Sequence, residues 1–149
     1  MNYKKNQNNF SRIVAILFVT SLFNTIDGLS KYDDSQILKL LDNHFKKNSE
    51  ITMLGANIYT DKIKRTFQLE ISSTKIAVNK SLFQAFSALF KLSSFSENPI
   101  DNYKLIIHLE NYDIPIVAFC DYTCSKKYLS SDMFKEKEWR DNCLIIKTI

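Results

Sequence analysis

The chain has 149 residues, enough for a single domain, with 20 basic and 16 acidic side chains, two glycines, two prolines and three cysteines. Two glycines leave no Gly-rich loop to cradle a phosphate, and no Rossmann or nucleophile-elbow motif occurs. Basic residues are interleaved with acids, as Lys135, Lys137 and Arg140 are with Glu136, Glu138 and Asp141, which reads as a solvated face and argues against a nucleic-acid partner.

The first 30 residues have a pattern of their own. Lys4, Lys5 and Arg12 sit in a polar stretch with no acid. An apolar run of 11 residues follows, Ile13 to Phe23, and then the turn-prone Asp27-Gly28-Leu29-Ser30. A basic start, a short apolar stretch and a small-residue exit make a secretory signal. As a helix the run covers roughly 16 Å, against about 30 Å of hydrocarbon in a bilayer. Cleavage is expected after Gly28 or Ser30, and an uncleaved membrane anchor is the alternative. Residues 31–149 then form one domain. They hold 17 basic and 15 acidic side chains, a net charge of +2.

Asp33 or Asp34 caps a predicted helix over 35–47, with Ile37, Leu41 and Phe45 on its apolar stripe and His44 at the edge. Residues 51–59 read as a strand. Ile63, Arg65, Phe67, Leu69 and Ile71 alternate with polar residues and predict a strand with one buried face. Residues 75–92 are a second helix, whose Leu82, Ala85, Phe86 and Leu89 mark it as the main core element, with Phe83 at the stripe's edge. Asn79-Lys80-Ser81 matches a glycosylation sequon inside that helix. Strands follow at 103–110 and 114–121, apolar on both faces, then a charged helix near 130–139 and a last strand over 143–148.

The predicted fold is α+β: a single antiparallel sheet of about five strands, with helices on one face. The order is helix, hairpin, helix, hairpin, helix, strand. The two hairpin-plus-helix units hint at a duplication offset by about 52 residues.

In an oxidising compartment three cysteines allow one intrachain pair. Cys120 and Cys124 in an extended strand would lie about 13 Å apart, beyond the ~7 Å reach of a bridge. The expectation is Cys124–Cys143, with Cys120 a buried thiol. Cys120 with His108, or Cys120 with Cys124 as a redox pair, is the alternative chemistry of a small extracytoplasmic enzyme. Asp101, Glu110, Asp113 and Asp121 fall at strand ends, where acids normally serve turns. No metal spacing is present, and no catalytic residue, metal or cofactor is expected. Tyr122, Tyr128, Phe134 and Trp139 are the candidate contact surface, since Tyr and Trp favour interfaces.

By elimination these features describe a small exported protein that binds another protein and does not catalyse. It would serve as an accessory component of an envelope or secretion system, or as a secreted effector or inhibitor. A membrane would be involved only through an uncleaved N-terminal segment.

Overall fold

The computed structural model describes residues 31–47, 51–130 and 135–148. The predicted export segment, residues 1–30, lies outside the described residues, as does Phe134. The chain divides into two units, and all that follows concerns the second, Tyr32–Ile149.

Helix α1 (Asp34–Lys46) starts at a capping box: Asp33 accepts from the Gln36 amide, and Gln36 accepts from the Asp33 amide. Ile37, Leu41 and Phe45 recur at helical spacing and are buried. Strands β1 (Thr52–Asp61) and β2 (Lys64–Ser73) form a hairpin, turned by Lys62 in the left-handed region at φ 58°. A bulge between Met53 and Gly55 gives β1 one extra residue. Phe67, Leu69 and Ile71 of β2 are fully buried, as the alternation predicts. Ile63 is not: it is 90 % exposed, because it sits in the turn, where the strand period has not begun. Helix α2 (Val78–Ser93) follows. Then come β3 (Asn102–Leu109), β4 (Ile116–Asp121), α3 (Tyr122–Leu129), α4 (Glu136–Cys143) and β5 (Ile145–Thr148).

The fold is α+β, with one five-stranded sheet in the order β1-β2-β3-β4-β5 and four described helices. The sheet is mixed, which corrects the antiparallel expectation. β2 and β3 run parallel, with Phe67 beside Tyr103 and Leu69 beside Leu105. The physical reason is the connection. A parallel pair needs a crossover of a dozen or more residues, and α2 supplies it. At about 24 Å long, it carries the chain back along the sheet to the end where β2 began. There Arg65 and Asp101 lock the return: the Arg65 amide donates to Asp101 Oδ2 at 2.7 Å, and the Asp101 amide donates to the Arg65 carbonyl at 2.8 Å.

The duplication hint fails for the same reason. Laying β1–β2 over β3–β4 in chain order requires turning the sheet over, which would put α1 and α2 on opposite faces. Instead Phe45, Phe86, Tyr128 and Trp139, one from each helix, join a single core with Phe67, Leu69 and Leu105. The C-terminal helices also differ from expectation. Asp121 caps α3 directly after β4, and α4 begins at Glu136, so two short helices replace the single one predicted over 130–139.

Candidate functional site

The sheet has two unlike faces. Tyr103, Leu105, Ile107, Ala118 and Cys120 point to the helices and are buried. Side chains alternate along a strand, so Lys104, Ile106, His108, Val117 and Phe119 lie on the other face. The core takes Ala118 and Cys120 but not Val117 or Phe119. Register adds Glu70, Ile145 and Lys147 to this open face. Lys147 Nζ stands 5.5 Å from the centre of the Phe119 ring, and His108 Nε2 lies 2.6 Å from Glu70 Oε1. No described helix packs here, yet Val117 is 3 % exposed and Ile106 and Phe119 are half-buried. Ile145, at the free edge of β5, is 58 % exposed.

This alternation separates the two residues considered for chemistry. Cys120 pairs with Tyr103 on the helix side, and His108 lies on the open side, five residues further along β3. Cys120 is buried, and its Sγ is 2.8 Å from Ser125 Oγ, to which Trp139 Nε1 also donates at 3.5 Å. Burial pushes the thiol pKa up, so the thiolate that a nucleophile needs is disfavoured. Cys120 is a free thiol near the end of β4, whereas Cys124, in the helix that follows directly, lies at disulfide distance from Cys143, with Cα atoms 5.6 Å apart. This link joins the first turn of α3 to the last residue of α4.

The four strand-end acids fall into two groups: Asp101 and Asp121 line one small cleft with Lys64, and Glu110 and Asp113 lie elsewhere. Asp101 binds the Arg65 amide and Asp121 caps α3 by accepting from the Cys124 amide at 2.7 Å. Glu110 and Asp113 sit at the far end of the same strands, by the β3–β4 turn. Among the described residues no three His, Cys, Asp or Glu side chains could together hold a metal ion.

No family model, no curated protein and no solved structure matches this chain. The site must therefore be read from its own chemistry.

The aromatic surface expected from the sequence is corrected. Trp139 is fully buried and packs on Phe83 and Phe86, with ring centres 5.9 and 5.4 Å away. Tyr128 is 8 % exposed, and Tyr122 stacks on Phe90 at 5.7 Å. These rings close the core under two short, charged helices, which have few other apolar residues to bury. His44, expected at a half-buried edge, is exposed and touches the Phe45 ring edge-on at 5.0 Å.

A groove of about 670 Å³ runs along the outer side of α2, between His44 at the end of α1 and Leu129 at the end of α3. Sequence reasoning missed it. From the sequence Phe90 belongs to the apolar stripe of α2 and Phe83 to its edge, and the structure leaves both half-buried.

Proposed function

We propose that this chain is a small exported binding protein, without a catalytic role, and that the open face of its sheet receives a protein partner. One observation carries the reading. The four described helices pack on one face of the sheet, while the other carries the exposed Ile145 and the half-buried Ile106 and Phe119 beside Lys104 and Lys147, with no described element over them. An apolar centre with a charged rim is how protein interfaces are built. Two further points support export. The first is the signal-like pattern of residues 1–30. The second is the cysteine pair Cys124 and Cys143 at bonding distance, which suits an oxidising compartment. Among the described residues no helix is long and apolar enough to cross a membrane.

Export is tested by N-terminal sequencing of the protein recovered outside the producing cell. A start between Leu29 and Asp33 supports it, and an intact Met1 in a soluble cytoplasmic fraction ends it. Binding is tested by crosslinking and affinity purification from the native host, with Ile106→Lys, Phe119→Lys and the unmodified chain in parallel. A partner retained equally by all three, with circular dichroism unchanged, would remove the sheet face from consideration.

A further inference from the structure

Register draws a polar row across one end of the open sheet face, beside its apolar centre. Tyr59 stands next to Thr66, Thr66 next to Asn102, and Asn102 next to Asp121, so the row crosses β1 to β4. Asp61 and Lys64 pair one step nearer the end of the sheet, and Phe119 and Ile145 pair one step nearer its centre. These side chains line a trough of about 460 Å³, within the roughly 300–1,000 Å³ of small-molecule sites. With strands about 4.8 Å apart, it runs roughly 19 Å from β1 to β5.

Thr66 points to a ligand. It is 8 % exposed, lines the trough, and its hydroxyl has no hydrogen-bond partner among the described residues. Polar groups so deeply buried are nearly always paired. Its neighbours in the row, Tyr59 and Asn102, are half-buried, and their side chains also make no hydrogen bond to a described group. The charges around the row have both signs. An anion would face Asp61 and Asp121, a cation would face Lys64, and an alkyl chain would strip water from all three. A neutral polyol suits each of them. Its hydroxyls donate to the carboxylates and accept from Lys64 and the Asn102 amide. The C–H face of a sugar ring is apolar, and Phe119 and Ile145 offer it an apolar wall along one side of the row.

We infer that this trough binds a neutral oligosaccharide laid across the strands. The site is independent of a protein partner at the apolar centre around Ile106 and Val117. Phe119 and Ile145 border both regions, so the variants that separate them are Thr66→Val and Asp61→Asn on one side and Ile106→Lys on the other.

Isothermal titration of the full chain with cello-, malto-, xylo- and chito-oligosaccharides of one to six units tests the assignment. One series should bind saturably, with affinity rising with length until the trough is spanned and level beyond that. Thr66→Val, which keeps the side chain's shape, should weaken the best binder about threefold to tenfold, as loss of one neutral hydrogen bond does. Asp61→Asn should weaken it about tenfold, since a bond to a carboxylate is stronger. Asp61 is exposed, so this variant reads the site even if Thr66→Val disturbs the sheet. Amide shifts in heteronuclear NMR should centre on Tyr59, Thr66 and Asn102. Ile106→Lys should leave saccharide binding unchanged, which separates failure of this site from failure of the protein interface. Binding by none of the four series, no loss in either folded trough variant, or tighter binding of fully deacetylated chito-oligosaccharides, which are cations, would each overturn the assignment.

Discussion

Helix α2 and the α3–α4 pair are held to the same sheet by different means. α2 is 16 residues long and buries Leu82, Ala85, Phe86 and Leu89 along one side. α3 and α4 have eight residues each, well under the length at which an isolated helix persists in water. They bury few side chains, chiefly Tyr128, Leu129 and Trp139, and the cysteine link ties the start of one to the end of the other. Where the sequence supplies a long apolar stripe, burial alone fixes the element. Where it supplies short charged segments, one large ring and a covalent tie do so. Arg65 is a third device, at the same end of the sheet as the start of α3, where the Tyr122 amide donates to the Asp101 carbonyl. It reaches from β2 to Asp34 of α1 and donates to the Asn98 carbonyl at 2.7 Å.

The largest effect should come from the burial side of this contrast. Phe86→Ala removes a ring that is 1 % exposed and packs on Trp139, and should cost about 3–5 kcal/mol in urea unfolding. A loss under about 1 kcal/mol would mean that α2 does not depend on its stripe. Cys143→Ser should cost about 3 kcal/mol in the chain-entropy account of a 19-residue loop. Hydrogen exchange sharpens the comparison: in that variant the α3 and α4 amides should lose protection first, with α2 still protected. Simultaneous loss would show that the regions open as one unit.

Arg65→Met should cost about 1–2 kcal/mol, since Asp34 loses its partner and the Asn98 carbonyl keeps only the bond from Ser96 Oγ. Arg65→Lys should recover only part of this, because a point charge cannot serve the carbonyl and the carboxylate together. Asp33→Ala removes the cap of α1 and should cost about 1 kcal/mol, read from the same urea curves.

The smallest effect is a pH dependence. Burial raises the Cys120 thiol, so the folded chain holds its proton more tightly than the unfolded chain does. The stabilisation is complete below the unfolded thiol value, about 8.5, and is lost as pH rises through the folded one. Burial raises Tyr103 in the same sense, beyond the range in which a protein is handled. Urea midpoints measured from pH 7 to 10 should therefore fall only at the alkaline end. Cys120→Ser should flatten the fall, and iodoacetamide should modify native Cys120 far more slowly than the unfolded thiol.

Much of this architecture is legible in the sequence because local signals are strong and unambiguous. The cap at Asp33, the period-2 alternation from Phe67 to Ile71 and the Leu82–Leu89 stripe each follow from the geometry of one element. The Cys124–Cys143 proximity agrees with the expected pair, although the premise of an extended run from Cys120 to Cys124 does not hold, because α3 begins at Tyr122 and Cys143 closes helix α4. Arg65 had left a signal too, a charged residue in the apolar phase of an alternation, although its partners lie 31 and 33 residues away in sequence.

What the sequence could not decide is how locally correct elements meet. The two hairpins pair equally well in either direction as far as their own residues are concerned, and only the span of α2 across the sheet makes β2 and β3 parallel. Alternation places Cys120 and His108 on strands but not on opposite faces until the β3–β4 register is set. Trp139 reads as an interface residue until α4 folds it onto Phe86. The groove of Gln84, Ser87 and Lys91 exists only where His44, at the end of α1, and Leu129, at the end of α3, come to either side of α2. Secondary structure is set by neighbours along the chain. Parallel pairing, burial of a ring and the shape of a groove are set by residues tens of positions apart, which only the packed tertiary structure brings together.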